Sequence, residues 1–185
     1  MTTRSRADTR RALLLAAAQV VRAEGAAGLT LEAVARAAGV SKGGLLYHFP
    51  TKDALIEGMI ADLLERFEAD VEAAMRGDDA PDPGRWLRAF VRVSFATPPP
   101  DLDLTAGLFA AAATNPALLA PMHAAFARWQ GRAQADGLDP ALATLVRLAT
   151  DGLWFADLFG AAPPSGAARE RVQDALLRLT REPAP

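Results

Sequence analysis

Residues 30–55, TLEAVARAAGVSKGGLLYHFPTKDAL, decide the fold of this 185-residue chain. Two short helical segments meet at Gly39–Val40–Ser41, where the glycine ends the first helix and the serine caps the second. Thr30 caps the first segment in the same way, and Pro50 ends the second. Two short helices joined by a tight turn that contains glycine are typical of a helix-turn-helix, whose second helix enters the major groove of DNA.

The second segment is predicted to have one buried and one outward face. Leu45 and Phe49 lie four residues apart and are expected to face the core. The opposite face, which we expect to contact DNA, holds Gly43, Gly44, Tyr47 and His48. Two alternatives stay open, namely that Tyr47 is a half-buried interface residue and that His48 is an ordinary surface histidine.

Helices are also predicted on both sides of this element. A first helix over about Thr9–Glu24 places Leu13, Ala16, Ala17, Val20 and Val21 on one buried face. A long helix is capped by Thr51 and has an apolar stripe that continues to Met75, which gives it about 24 residues and a length of about 36 Å. Such a helix is long enough to link two domains.

The remainder of the chain is predicted to be a helical body. Helices are expected over about 85–96, 104–114, 140–159 and 167–180, with an N-cap and proline at Asn115–Pro116 and a restart at Pro121. The sequence therefore predicts an all-α protein of about nine helices. Residues 1–52 form a three-helix head that contains the helix-turn-helix, and residues 53–185 form a bundle for ligand binding and dimerisation.

Residues 9–55 resemble the DNA-binding region of the TetR family of bacterial transcriptional regulators. The resemblance rests on the Thr opening, the Ala-rich support helix, the Gly-Val-Ser-Lys-Gly turn, and Tyr-His-Phe followed by Thr-Lys and a leucine. Further along, DGLWFADLFG at 151–160 resembles a late helix of many members. The resemblance implies a homodimer that is held together through its last two helices.

Several residues of this region are candidates for contact with DNA. Hydroxyl groups and free amides at helix N-termini bind phosphates, and lysines add charge. The full candidate set is Thr30, Ser41, Lys42, Gly43, Gly44, Tyr47, His48 and Lys52. Gly44 and Leu46 depart from the family pattern, since members often carry a side chain at the first position and a tyrosine at the second. A flexible arm holding Arg4 and Arg6 is a further candidate for the minor groove.

Charge and composition limit the class of protein. Residues 1–52 hold eight Lys/Arg against three acids, whereas residues 53–185 hold twelve against nineteen. A basic head on an acidic body suits phosphate binding, although random surface variation gives the same balance.

There is no cysteine and no apolar run long enough for a membrane span, so we expect a cytoplasmic protein. No phosphate-binding glycine loop, catalytic carboxylate pair or metal-ligand spacing occurs, so no enzyme, metal or cofactor is predicted.

Aromatic residues of the body are candidates for an effector cavity as well as for the core. The candidates are Trp86, Phe90, Phe109, Phe126, Trp129, Trp154 and Phe155. Asp151 and Asp157 lie near this group, where a carboxylate could pair with a cationic ligand, cap a helix, pair with Arg147 or face solvent.

The leading hypothesis is a repressor that a small apolar or amphipathic ligand releases from a palindromic operator. A ligand weakens DNA binding only by its different affinity for two states of the protein. The alternative is a helical interaction module of the same fold without sequence-specific DNA binding, which Gly43–Gly44 and Leu46 favour. A helical carrier or enzyme, indifferent to DNA, is a third hypothesis.

Overall fold

The computed structural model describes residues 5–78, 83–96, 102–113 and 115–181. Within these ranges the regular structure is entirely helical, with nine α-helices and one short 3₁₀ helix, so the all-α prediction is confirmed. In chain order the α-helices are α1 (Arg6–Gly28), α2 (Leu31–Ala38), α3 (Lys42–His48), α4 (Lys52–Arg76), α5 (Arg85–Ser94), α6 (Leu102–Ala112), α7 (Ala120–Gln134), α8 (Pro140–Phe159) and α9 (Gly166–Leu179). The 3₁₀ helix spans Pro116–Leu119.

Helix α1 begins earlier than the predicted start at Thr9. Ser5 Oγ accepts from the Asp8 amide at 3.1 Å, and Asp8 Oδ2 accepts from the Ser5 amide at 3.2 Å. This capping box satisfies amides that the first turn leaves without partners. The prediction of a flexible arm is wrong for Arg6, because this box fixes it in the first turn, while Arg4 lies outside the described residues.

The predicted buried face of α1 is confirmed, and Gly25 interrupts the helix. The five apolar side chains predicted for that face are all buried. Gly25 has φ 72° and ψ 178°, a conformation that other residues rarely adopt, and one further helical turn then continues to Gly28.

The turn between α2 and α3 has the predicted geometry. Gly39 adopts the left-handed conformation, with φ 65° and ψ 34°, and its amide bonds back to Arg36 O at 3.2 Å. The Val40 amide bonds to Ala35 O at 3.0 Å, and Val34 is fully buried. Backbone hydrogen bonds and burial therefore fix the turn.

The chain divides into two compact units, and α4 contributes residues to both. The first unit comprises Met1–Leu63 and Asp103–Met122, and the second comprises Leu64–Leu102 and His123–Pro185. In the first unit α4 passes close to α3, because a Cβ added at Gly58 would lie 2.6 Å from Phe49 Cε1. By packing, α6 therefore belongs with the helix-turn-helix, while the functional boundary after residue 52 stays a prediction.

The second unit is held by an aromatic core and by buried polar caps. Asp136 accepts from the Trp86 and Leu87 amides at 3.0 and 2.8 Å, and so caps α5 from a distant point in the sequence. Burial raises the pKa of Asp136, while these two amides and nearby arginines oppose the shift. The buried guanidinium of Arg88 donates to Asp78 Oδ2 at 3.2 Å and to Thr180 O at 3.2 Å, which joins α5 to the end of α9.

The proline positions define helix starts as predicted. Asn115 Oδ1 accepts from the Ala117 amide at 3.3 Å, but the turn that follows Pro116 is a 3₁₀ helix. Pro121 is the second residue of α7 and Pro140 the first residue of α8, where a missing amide costs no hydrogen bond. The sequence also predicts a break in the chain at Pro98–Pro100 and a disordered tail at Glu182–Pro185, and both segments lie outside the described residues. In the described part of the chain, no helix is long and apolar enough to cross a membrane.

Candidate nucleic-acid interface

Helix α3 has the predicted two-sided character. Leu45 and Phe49 are buried, whereas the Tyr47 side chain is 66% exposed and Lys42 and Gly43 are also exposed. His48 and Gly44 are half-buried. Gly43 and Tyr47 are therefore exposed on the side of α3 away from the core, whereas Gly44 and His48 on the same side are partly covered.

Three hydroxyl groups cap the helices of this region. Thr30 Oγ1 accepts from the Ala33 amide, Ser41 Oγ from the Gly44 amide and Thr51 Oγ1 from the Ala54 amide, all at 3.0–3.1 Å. Each hydroxyl keeps its own hydrogen as a donor, which a phosphate oxygen can accept. Thr30 and Ser41 therefore combine a structural role with the predicted capacity to bind an anion.

Lys42 makes an ion pair that the sequence reasoning missed. Its Nζ lies 2.6 Å from Glu32 Oε1, and both side chains are 60% exposed. The hydrogen bond from Lys42 is the largest cause that lowers the pKa of Glu32. From the sequence alone, Glu32 is expected to interact with the positive N-terminus of α2, but the fold of the turn decides which cation it meets.

Tyr47 belongs to a small cluster that also contains a residue outside the predicted set. The rings of Tyr47 and His48 are 5.2 Å apart and meet edge to face. The Arg6 guanidinium lies 5.1 Å from the centre of the Tyr47 ring, and Arg10, one helical turn later, lies 5.4 Å from that of Phe49. Because Arg6 and Arg10 are four residues apart, they share one face of α1. This spacing is the sequence signal for the position of Arg6 beside α3.

The two glycines of α3 differ in the space around them. A Cβ at Gly43 would meet nothing within 4 Å, whereas a Cβ at Gly44 would lie 3.3 Å from Ser41 Oγ. The space at Gly43 is therefore open towards the outward side of the helix. A glycine there allows the helix backbone to approach another surface closely.

Lys52 is exposed at the first residue of α4. The next residue, Asp53, accepts from Asn115 Nδ2 at 3.0 Å within the first unit. The whole sequence has no lysine other than Lys42 and Lys52 and no tyrosine other than Tyr47. Together with Arg6 these side chains supply cations and a hydroxyl, which are groups able to bind phosphate oxygens.

The aromatic candidates for an effector site fall into separate places. Trp86, Phe90 and Trp129 are buried and pack with Phe67, with ring centres 4.9–5.6 Å apart, and Phe126 lies against Trp129. The crevice lined by Phe67, Trp86 and Trp129 has a volume of about 10 Å³, which is the space that one water needs. These rings fill the core of the second unit.

Two further candidates lie on α8, and one lies in the other unit. Trp154 and Phe155 are half-buried and meet edge to face at 4.9 Å, while Phe109 lies on α6 in the first unit. One turn before Phe155, Asp151 pairs with Arg147, whose guanidinium also donates to Gln130. Burial raises the pKa of Asp151 to about 6, although the charge of Arg147 opposes this shift.

Asp157 also has an arginine partner. Arg169 donates from both terminal nitrogens to the two oxygens of Asp157, at 3.0 Å each. Of the roles left open by the sequence, both carboxylates therefore adopt the pairing role, although Asp157 pairs with Arg169 of α9.

Two family models match the sequence. Residues 13–59 match the model described as "Bacterial regulatory proteins, tetR family", and residues 84–181 match "Tetracyclin repressor-like, C-terminal domain". The second match alone covers more than half of the chain. Both models describe regulators and neither describes an enzyme.

Individual proteins are similar to the chain as well. The HTH-type transcriptional regulator BetI of Rhizobium meliloti (strain 1021) is 36% identical over 86 residues, which is 46% of this chain and 41% of BetI. The HTH-type transcriptional regulator RutR of Escherichia coli (strain K12) is 41% identical over 80 residues, 42% of this chain and 37% of RutR. These matches thus span about two fifths of each relative's length. The crystal structure of the multidrug binding protein EbrR complexed with ethidium aligns with a TM-score of 0.68 and 28% identity, covering 93% of this chain and 98% of EbrR.

Replacing Gly43 by Ala separates stability from DNA binding. The methyl group meets nothing in the protein, so Gly43→Ala should raise the free energy of unfolding by about 0.5–1 kcal/mol. If the backbone at Gly43 touches DNA, the same methyl group costs about 1–3 kcal/mol, which is roughly a fivefold to 150-fold rise in Kd. Gly131→Ala, at an equally open site on α7, is the control that gains stability and leaves the Kd unchanged. Equal affinities of the two variants would contradict a close approach at Gly43.

Proposed function

Since the chain belongs to the TetR family of bacterial regulatory proteins, we propose that it is a ligand-responsive transcriptional regulator that binds duplex DNA as a homodimer. The observation that carries the proposal is helix α3, where Tyr47 is exposed on the side opposite the buried Leu45 and Lys42 is exposed at the first residue. A regulator of chromosomal DNA acts in the bacterial cytoplasm, and that location is part of the proposal.

In the proposed complex α3 lies in the major groove. Arg6, Lys52 and the hydroxyl groups of Thr30 and Ser41 contact phosphates on the groove edges, which fixes the position of the helix. Base recognition is left to Tyr47 and to the shape of the DNA, because Gly43 and Gly44 have no side chains, while Lys42 at the groove edge can reach a base or a phosphate. Two such helices in a two-fold dimer lie about 34 Å apart, so the operator is palindromic.

An exposed apolar stripe supports the homodimer. On α8, Leu145 is 63% and Leu148 52% exposed, and Phe159 and, on α9, Val172 are exposed too. Residues three apart share one face of a helix, and exposed apolar side chains of this size mark interaction surfaces. Two helices from each protomer would bury the stripe in a four-helix bundle, which is the proposed dimer interface.

The effector is proposed to bind within the second unit. The neighbour EbrR is described as a multidrug binding protein and has been crystallised with ethidium, an aromatic molecule. In this chain the aromatic cluster around Phe67 and Trp129 leaves about 10 Å³ of space, so a ligand has to separate helices in order to enter. Such a ligand is apolar or amphipathic, and it favours the state in which the helices have moved apart.

Because α4 contributes to both units, its displacement changes the spacing of the two α3 helices and releases the operator, which makes the protein a repressor.

Replacing Tyr47 and Lys52 by Ala tests the DNA-binding surface. The test duplex is one that the wild-type protein selects from a random pool, and binding is measured by fluorescence anisotropy over a range of salt concentrations. We expect at least a tenfold loss of affinity. The slope of log affinity against log salt concentration should fall in magnitude by about one for each DNA-binding head, because each lost lysine no longer displaces counterions from the DNA. Circular dichroism should show an unchanged helical content, since both side chains are exposed.

Arg128→Ala is the control, because it removes an exposed positive charge from the second unit. Its affinity and salt slope should match those of the wild type. If the Tyr47/Lys52 variant bound the duplex as tightly as the wild type, the proposed surface would be wrong. A wild-type protein that selects no duplex would favour the alternative of an interaction module without DNA recognition.

Charges introduced on α8 test the dimer. Leu145→Glu with Leu148→Glu should place like charges at the proposed interface, so that sedimentation velocity shows a monomer where the wild type is a dimer. Leu15→Glu on α1 is the matched control, since Leu15 is 56% exposed but lies in the first unit, and it should stay dimeric. The same sedimentation coefficient for the α8 variant and the wild type would exclude this interface.

A further inference from the structure

The ion pair between Glu32 and Lys42 joins the two helices of the helix-turn-helix at the exposed side of the turn. Lys42 is the first residue of α3 and Glu32 the second residue of α2, and their charged atoms are 2.6 Å apart. We propose that Glu32 is an internal competitor of DNA phosphate, which holds the Lys42 ammonium in the free protein and has to give it up when DNA binds. The inference rests on the proposed function, because it assumes that Lys42 contacts DNA.

The pair contributes little to holding the turn together. Gly39 in the left-handed conformation, the hydrogen bond from the Val40 amide to Ala35 O, and the buried side chains of Val34 and Leu45 already fix α2 against α3. An ion pair with both partners 60% exposed adds little to stability, because water screens it and long side chains lose entropy in forming it. The position of the pair is therefore better explained by binding than by folding.

The carboxylate occupies the place that a phosphate oxygen would take. The pKa of Glu32 is lowered first by the hydrogen bond from Lys42, and its own backbone amide and the charge of Lys42 act in the same direction. Glu32 therefore stays charged at neutral pH and neutralises Lys42. A phosphate offers the ammonium the same kind of oxygen acceptor, so exchange between the two anions needs no rearrangement of α3.

Two consequences for affinity follow from this competition. Breaking the pair opposes DNA binding, and the freed carboxylate then lies near the phosphates and repels them. Glu32 thus weakens the binding of duplexes of any sequence, since phosphates carry no sequence information. A regulator that searches a chromosome needs this restraint, because competing non-specific sites are in large excess.

Replacing Glu32 by Gln tests the proposal in a double-mutant cycle with Lys42→Gln. Glutamine keeps the size of the side chain and removes its charge. An exposed pair changes an equilibrium by about threefold, so a dimer with two heads should bind about tenfold more tightly after Glu32→Gln. The gain should appear for the selected duplex and for an unrelated duplex, measured by anisotropy at one salt concentration. In the Lys42→Gln background the same change should give a clearly smaller gain, because only the repulsion between the carboxylate and the phosphates is then relieved.

Glu24→Gln is the matched control, because it also removes one carboxylate from the first unit. The Glu24 side chain lies against Gly28. It should change the affinity by less than about twofold, and all variants should keep the wild-type melting temperature, which excludes an effect through folding. An unchanged or weaker affinity of Glu32→Gln would overturn the proposal. The same holds if Glu32→Gln gives an equal gain in the Lys42→Gln background, or if Glu24→Gln gives an equal gain. Absence of wild-type binding to any duplex would instead refute the proposed function itself.

Discussion

The burial of Leu45 and Phe49 is the constraint on which the candidate interface depends. Helix α3 has seven residues, of which two are glycines, so it would not be stable in isolation. Its position is fixed because Leu45 and Phe49 are buried and the Phe49 ring packs against α4 at Gly58. Tyr47 then points outwards as a consequence of the helical period, and Lys42 is exposed at the first residue of the helix. The proposed DNA-binding surface therefore owes its geometry to two apolar side chains that are buried on the other side of α3.

Features set by neighbouring residues were predictable from the sequence. The caps at Thr30, Ser41 and Thr51 and the left-handed Gly39 follow from residue types within one helical turn, and the structure has them where expected. The start of α1 was predicted too late, because the capping box of Ser5 and Asp8 was not recognised. A similarity to a known family, rather than the physical pattern alone, added the expectation of a dimer.

Contacts between distant residues could not be predicted in this way. Asp136 caps α5 across 50 residues, and Arg88 is buried because carbonyl and carboxylate oxygens from three segments surround it. The partner of Lys42 depends on the angle at which α2 meets α3, and the partner of Tyr47 on the path of α1. For Trp86, Phe90 and Trp129 the expectation of burial is correct, but the sequence cannot tell a filled core from an open cavity, since both are lined by the same residue types.

Selective acylation of lysines in the presence of bound duplex tests most directly whether this surface contacts DNA. Lys42 and Lys52 are the only lysines of the sequence, and both are exposed, so mass spectrometry of the wild-type protein reports on the proposed interface alone. With an added lysine-containing peptide as the reference for reagent reactivity, a saturating selected duplex should slow modification of both lysines severalfold, and a single-stranded oligonucleotide should have a smaller effect. Modification of both lysines at their free rates while anisotropy shows the duplex to be bound would contradict the account.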